Sequence, residues 1–250
     1  MILNLEQLKC EHYEHIISLG SFCSPALELE RLGFRDGSYP FDWILSHTFK
    51  KVLDLIDTSF KEAFVPNQLY QRRDARQIYE NKLFDLIFVH DFSGYESFDR
   101  QYKNFNEKYQ RRIKRFYDSI IEPTLFIRYI ETKAELSWIC SEQMNILFFL
   151  KTFNKLNEIL YITNYDTAKN ERIQNIPILI VEKDKNDTVA RRFFEQGEEV
   201  VEFLHQHYSI DARKRNLEYF KEKRIRKRCL QLIKKLYGII KKEYVHDKVI

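Results

Sequence analysis

Short apolar runs alternate with stretches of helical periodicity along most of this chain. The short runs are rich in β-branched and aromatic residues, which predicts strands at 16–19, 83–92, 125–129, 159–163 and 176–181. Apolar residues at helical spacing predict helices at 26–32, 47–64, 97–121, 133–154 and 188–206. Strands that alternate with helices predict an α/β domain, with a mostly parallel sheet flanked by helices in a Rossmann-like three-layer arrangement.

The first strand and helix are joined by a turn that contains a cysteine. Gly20 and Ser21 end the first apolar run, Ser24 and Pro25 are typical of a helix start, and Gly33 is typical of a helix end. Cys23 is therefore predicted at the amino end of a helix. The unpaired N–H groups and the positive end of the helix dipole there favour a thiolate or a bound anion.

Further polar residues follow the predicted strands. His90 and Asp91 end the second predicted strand, and Arg128 lies within the third. Ligands of open parallel sheets bind beyond the carboxyl ends of the strands. We therefore expect one cleft to be lined by Gly20, Cys23, Asp42, His90 and Arg128.

These residues suggest the components of nucleophilic catalysis. A catalytic cysteine needs a base within hydrogen-bond distance and a third group that orients the base. Cys23 is the candidate nucleophile and His90 the candidate base, because His90 follows an apolar run. Asp42 or Asp91 is the candidate orienting group, while Ser21 is an alternative nucleophile or oxyanion donor. The other histidines lack a comparable setting.

Arginines supply a second kind of candidate chemistry. Arg111 and Arg115 are four residues apart, so they share a helix face that could hold a phosphate or carboxylate. Arg128 lies among apolar residues and requires an anionic ligand or a carboxylate partner. Arg35 can pair with Asp42 or contribute to anion binding. Gly20 and Ser21 could present backbone N–H groups to the same anion.

The turn and the residues after it resemble a known family. The pattern L-G-S-x-C-x-x-A, followed by L-x-x-L-G-x-R-x-x-S-x-P-F-D-W, is similar to that of a bacterial and viral family labelled as papain-like cysteine peptidases. The segments His90-Asp91-Phe92 and Tyr109 to Phe116 are also similar. The resemblance implies a cysteine peptidase and an association with surface-polysaccharide assembly. A papain-like fold would place a helical half before a β-barrel half, whereas the periodicity predicts alternation.

Charge is distributed unevenly along the chain, whose net charge is +4. Residues 212–250 hold 14 Lys or Arg and 4 Asp or Glu, and the rest of the chain holds 27 basic and 33 acidic residues. We therefore predict an α/β catalytic-type domain over 1–211 and a basic amphipathic helical tail over 212–250. Residues 213–250 could dock on an anionic membrane. The acidic domain disfavours nucleic acid as a partner.

Composition indicates the cellular compartment in which the protein is expected. The four cysteines are scattered without Cys-x-x-Cys spacing, which favours a reducing compartment. No signal peptide or membrane span is visible in the sequence, so a cytoplasmic location is expected. The histidines show no metal-ligand pattern, and nothing in the sequence calls for a cofactor.

Three functions remain open from the sequence. The first is a cysteine-dependent hydrolase acting on a small-molecule, peptide or glycan substrate. The second is a transferase of glycan assembly that holds a phosphorylated donor with the Gly20–Cys23 turn and the arginines. The third is a binding module docked on a membrane by its tail.

Overall fold

The computed structural model describes residues 1–185, 187, 189–209, 212, 214–219 and 221–225. The strands in chain order are β1 (Ile2–Leu3), β2 (His15–Ser18), β3 (Ile44–Ser46), β4 (Tyr70–Gln71), β5 (Tyr79–Asn81), β6 (Leu86–Phe88), β7 (Thr124–Ile130), β8 (Glu158–Asn164) and β9 (Ile178–Val181). The α-helices are α1 (Ser24–Leu32), α2 (Phe49–Asp57), α3 (Phe98–Ile120), α4 (Lys133–Lys151), α5 (Tyr165–Ala168) and α6 (Glu198–His207). Short 3-10 helices cover Leu5–Gln7, Pro66–Gln68 and Phe193–Gln196.

The main sheet has five strands in the order β1-β9-β8-β7-β2. β2, β7, β8 and β9 pair in parallel, and β1 pairs antiparallel with β9 at one edge. Every residue of β7 and β8 is buried, as expected for strands covered on both faces. The predicted α/β architecture with a mostly parallel sheet is therefore confirmed.

Helices cover both faces of this sheet, which gives three layers. One face packs against α2, α3 and α4 through a core that includes Ile17, Phe126 and Tyr161. The other face packs against α1 and α6 through a core that includes Ile127 and Leu160. Alternate residues of each strand supply the two cores, because successive side chains of a strand point to opposite faces.

A second sheet corrects one prediction about topology. The run 83–92 was expected to form a strand of the parallel sheet, but only β6 forms there. It belongs to an antiparallel sheet in the order β3-β6-β5-β4. The short link between β5 and β6, in which Asp85 has φ 55°, reverses the chain, so β6 pairs with its neighbour in sequence. The length of an apolar run does not distinguish a parallel strand from a hairpin strand.

The last predicted helix of the domain is also shorter than expected. The pattern over 188–206 contains the 3-10 helix Phe193–Gln196 and then α6. Gly197 separates them with an irregular backbone, φ −137° and ψ 56°. A Cβ at Gly197 would lie 2.7 Å from Leu179 Cδ2, so a larger residue here would displace the Leu179 side chain on β9.

Arg128 on β7 joins the two sheets. Its guanidinium is fully buried and donates to the Leu19 carbonyl after β2 and to the Ser46 carbonyl and hydroxyl on β3. It also forms an ion pair of 2.6 Å with Glu135 on α4. Burial raises the pKa of Glu135, and the charge of Arg128 opposes that effect. One side chain thus holds both sheets and a helix together.

The first part of the basic segment packs on the domain. Residues 214–219 and 221–225 are helical, and Ala212 and Asn216 are buried. Arg215 pairs with Glu14 at 2.6 Å. Residues 226–250 lie outside the described chain, so the predicted domain boundary and the amphipathic tail stay predictions. No helix among the described residues has the length and apolar character needed to cross a bilayer.

Replacing Arg128 with methionine should lower the free energy of unfolding by about 3–5 kcal/mol, because Glu135 would be left buried without its counter-ion. Urea denaturation followed by circular dichroism would measure the change. Lys50→Met is the matched control. It removes one partner of an exposed ion pair with Asp54 and should cost no more than about 0.5 kcal/mol. Equal effects of the two substitutions would contradict the role assigned to Arg128.

Candidate functional site

The turn after β2 has an unusual backbone. Gly20 and Ser21 are consecutive residues in the left-handed region, with φ 78° and 79°. A Cβ at Gly20 would lie 2.8 Å from Ser46 Oγ and 3.2 Å from the Phe41 carbonyl, so only glycine fits. Ser21 is held in this strained conformation by Ser46, whose N–H donates to the Ser21 carbonyl at 2.9 Å. Strain of this kind is often found at functional sites.

The Glu131 carboxylate contacts two side chains at this turn. Glu131 directly follows β7 and accepts a hydrogen bond from the Ser21 hydroxyl. Its Oε1 also lies 3.7 Å from Nδ1 of His47, which directly follows β3. The Glu131 carbonyl accepts from Thr167 Oγ1 at 3.1 Å, which fixes the backbone of the same residue. The ends of β2, β3 and β7 thus meet at one carboxylate.

The electrostatics of this group favour a charged pair. Burial acts to raise the pKa of Glu131, but interactions with His47 and Ser21 outweigh it and lower that pKa. Glu131 in turn raises the pKa of His47, against the opposing effect of partial burial. The His47 side chain remains 43% exposed. An imidazole that is oriented by a carboxylate and open to solvent can accept or donate a proton.

Cys23 occupies the cap position of α1 in the same turn. It is half-buried, and its side chain makes no capping hydrogen bond. Within the described chain, the N–H groups of Phe22 and Cys23 donate to no acceptor. The Phe22 ring packs edge-on against Tyr129 with centroids 4.9 Å apart, which anchors the turn on the sheet. Free backbone donors beside a thiol are the components of an oxyanion hole.

A loop after β9 covers the start of α1. Ser24 Oγ donates to the Arg191 carbonyl at 2.6 Å, and Ala190 N donates to the Tyr129 hydroxyl at 2.9 Å. The pKa of Arg191 is raised chiefly by its hydrogen bond to Asp187, with a smaller contribution from Cys23. The loop is thus hydrogen-bonded to the start of α1 and to β7, and Arg191 is paired with Asp184 and Asp187.

The structure places the predicted base elsewhere. His90 follows β6 of the antiparallel sheet, is exposed, and contacts the Trp43 ring with centroids 6.5 Å apart. Its imidazole makes no hydrogen bond or ion pair to any described residue. Asp91 is buried, where it pairs with Lys108 and accepts from the Tyr109 hydroxyl at 3.0 Å. These contacts engage Asp91 with α3 and not with His90.

Asp42 and Arg35 form a buried ion pair of 2.6 Å within the turn that follows α1. Arg35 also donates to the Gly37 carbonyl, to Ser38 and to Glu30, while Asp42 accepts from the Tyr39 N–H. Burial raises the pKa of Asp42, and Arg35 opposes that effect. The ion pair stabilises this turn, so the aspartate of the Pro-Phe-Asp-Trp motif has a structural role.

The remaining predicted anion-binding residues separate into two groups. Arg128 has all its nitrogens engaged by protein acceptors, as described above, so none faces a ligand. Arg111 and Arg115 line a different cleft, on α3. Of the predicted set, the Glu131 cluster gathers only Gly20, Ser21 and the turn that carries Cys23.

His47 is the residue that the sequence did not single out. Its partner Glu131 is 84 positions away, and no local pattern connects them. The one signal in the sequence was position, because His47 directly follows the short segment Ile44–Ser46, which comes after the Pro-Phe-Asp-Trp motif. Only the pairing of Ser46 with Ser21 brings this histidine to the carboxyl edge of the main sheet.

Glu131→Gln should lower the pH midpoint of the His47 titration, measured by NMR of the imidazole. The raised pKa of His47 means that the pair stabilises the fold fully below the unfolded histidine pKa of about 6.5, and that this stabilisation is lost as pH rises through the folded value. The lowered pKa of Glu131 means that the stabilisation is present above about pH 4.3 and is lost as pH falls through the folded value.

The stabilisation from this pair should therefore be largest between about pH 4.3 and 6.5. Asp118→Asn is the control, because it removes an exposed carboxylate from α3 that pairs with Lys114. It should leave the His47 titration unchanged. A His47 midpoint that is the same in Glu131→Gln and in the unmodified protein would contradict the assignment.

Comparison with known proteins identifies the family. A family model described as "Putative papain-like cysteine peptidase" matches residues 14–182. An uncharacterized protein of Acanthamoeba polyphaga mimivirus is 32% identical over 123 residues, which cover 40% of this chain and 54% of the viral protein. The chain thus spans about half the length of this curated relative. No solved structure matches the chain. The family match covers more than half of the chain, which therefore belongs to the family that this description names.

Proposed function

We propose that the protein is a cysteine-dependent hydrolase in which Cys23 is the nucleophile, His47 the general base and Glu131 the group that orients the base. The observation that carries this proposal is the shared carboxylate. Glu131 binds both the Ser21 hydroxyl and the His47 imidazole at the turn that also contains Cys23. His47 replaces the predicted base His90, which lies against Trp43.

The geometry favours Cys23 over Ser21 as nucleophile. Ser21 is fully buried, and its hydroxyl donates to Glu131 and not to an imidazole. A serine nucleophile needs a base that accepts its proton, and a lowered-pKa carboxylate is a weak base for that purpose. Cys23 is half-buried at a helix start, a setting that supports thiolate chemistry. Ser21 thus supports the orientation of Glu131.

The proposed reaction needs only these groups and water. His47 takes the thiol proton, and the Cys23 sulfur attacks the carbonyl carbon of the substrate to form a tetrahedral oxyanion. The free N–H groups of Phe22 and Cys23 donate to that oxyanion. The imidazolium then protonates the leaving group as its bond to carbon breaks, which leaves a thioester. Water activated by His47 hydrolyses the thioester and restores the thiol.

An acyl compound such as a peptide is the substrate class that suits this mechanism and the family. The alternative of a transferase that holds a phosphorylated donor at the same turn is weakened, because Arg128 has no free donor. A place in envelope or polysaccharide assembly is part of the resemblance alone. Membrane docking through 213–250 stays a prediction, since most of that segment lies outside the described residues.

The rate of alkylation at each thiol tests the proposal without a known substrate. Iodoacetamide in limiting amount should label Cys23 faster than Cys10 and Cys140 near neutral pH, because burial raises the pKa of the other two thiols. Mass spectrometry of the labelled peptides would give the rate at each cysteine. His47→Ala should slow the labelling of Cys23 near neutral pH, because the base that takes the thiol proton is lost.

His90→Ala is the matched control and should leave the labelling rate of Cys23 unchanged. Slower labelling in His90→Ala alone would overturn the assignment of His47 and restore His90 as the base. An unchanged rate in both variants, or preferential labelling of Cys10 or Cys140, would overturn the cysteine mechanism itself. Once an acyl substrate that the protein hydrolyses is known, His47→Ala should lower its kcat by about 10²- to 10⁴-fold.

A further inference from the structure

A cleft on α3, which the proposed reaction does not use, is lined mainly by cations. Its volume is about 300 Å³. The charged residues around it are Lys108, Arg111, Arg112, Arg115, Glu222 and Lys223. Five of these six side chains are basic. The arginines at 111, 112 and 115 lie within little more than one helical turn, so their side chains point to one region.

The three arginines lack carboxylate partners within the described chain. Lys108 is neutralised by Asp91, and Lys223 pairs with Glu30. No ion pair joins any of the three arginines to a described carboxylate. Helices usually intersperse such charges with acidic residues, because like charges in adjacent turns repel. The charge of Arg112 also acts on the buried Asp42, which already pairs with Arg35. The cluster still carries an excess of positive charge, which favours an anion with more than one charge.

Arg112 supplies the strongest single observation. Its Nη1 is buried and has no hydrogen-bond partner among the described residues. The guanidinium lies over the Tyr109 ring, 5.2 Å from the centroid, which fixes its plane. A buried charged donor without a partner is costly and is rare in native structures. A shift of this side chain towards the adjacent cleft would let a ligand oxygen satisfy it.

Arg115 is held in place at the rim of the cleft. Its Nη1 donates to the Ser38 carbonyl at 2.6 Å. Its aliphatic part packs on Gly37, where an added Cβ would lie 2.7 Å from Arg115 Cδ. Glycine at 37 thus makes room for this arginine. Fixed guanidinium groups lose less conformational entropy when they bind, so they form a preorganised site.

We propose that this cleft binds the phosphate group of a small phosphate monoester. A phosphate monoester carries a charge of about −1.5 to −2 near pH 7 and three acceptor oxygens, which match three guanidinium groups that form no ion pair with a described carboxylate. The volume fits one small molecule and excludes a folded partner. The inference does not depend on Cys23 or His47, because none of the residues named for the reaction lines the cleft.

Isothermal titration calorimetry of the full chain with glycerol 3-phosphate tests the site. The unmodified protein should bind with an affinity that falls as NaCl is added, because the contacts are electrostatic. Arg111→Gln and Arg112→Gln should each weaken binding by about tenfold or more. Arg111 is exposed, so its variant tests the site even if the more buried Arg112 variant fails to fold. Arg100→Gln is the control, because Arg100 is exposed on α3 outside the cleft.

Vesicles distinguish a soluble ligand from a lipid headgroup with the same chemistry. Phosphatidic acid vesicles present the same monoester, and phosphatidylcholine vesicles are the neutral comparison. Binding to glycerol 3-phosphate that is lost in the Arg111 and Arg112 variants supports the proposal. Binding to phosphatidic acid alone, lost in the same variants, keeps the phosphate site and assigns its source to a lipid. No binding to either probe, or equal binding by all variants, would overturn it.

Discussion

The buried guanidinium of Arg128 is the interaction on which the arrangement of this protein depends. β7 is covered on both faces, so a charged side chain within it must find all its partners inside the protein. Those partners come from the end of β2, from β3 and from α4. Because each belongs to a different element, satisfying one charge fixes the position of the antiparallel sheet against the parallel sheet. The candidate site lies where these elements meet.

The same junction explains why the turn after β2 is strained. The Ser46 hydroxyl oxygen accepts two hydrogen bonds, one from Arg128 and one from the Ser21 N–H at 3.3 Å. This close approach leaves no room for a Cβ at position 20 and holds Ser21 in a left-handed conformation. The outcome is that the hydroxyl of Ser21 and the imidazole of His47 both reach Glu131. The core arginine and the candidate chemistry are therefore parts of one hydrogen-bonded network.

The basic residues of the domain serve two different purposes. Arg35 and Arg128 are buried and form ion pairs of 2.6 Å with carboxylates. The ion pair of Arg35 stabilises a turn, and the contacts of Arg128 join the two sheets. The arginines of α3 face a cleft without such partners. The residue type alone does not distinguish the two groups. An arginine holds elements of the fold together when its acceptors are buried beside it, and it can bind a ligand when such acceptors are absent.

Much of the fold could be predicted from the sequence, because it depends on local pattern. The strands from Leu125 to Tyr129 and from Ile159 to Thr163 stand out as short apolar runs, and α3 and α4 show helical spacing and end near the expected residues. The local pattern of Gly20, Cys23 and Pro25 was enough to predict a turn at the start of α1. Glu131 lies at the same edge because it directly follows β7 of the parallel sheet.

The tertiary structure alone decided which histidine stands at that edge. His90 follows an apolar run, but the run pairs in a hairpin and belongs to the other sheet, so its imidazole lies against Trp43. His47 follows an inconspicuous three-residue strand, and the pairing of Ser46 with Ser21 carries it to Glu131. Strand pairing and the partners of a buried arginine are long-range choices, made by satisfying backbone groups and charges in the folded core, and no local sequence pattern records them.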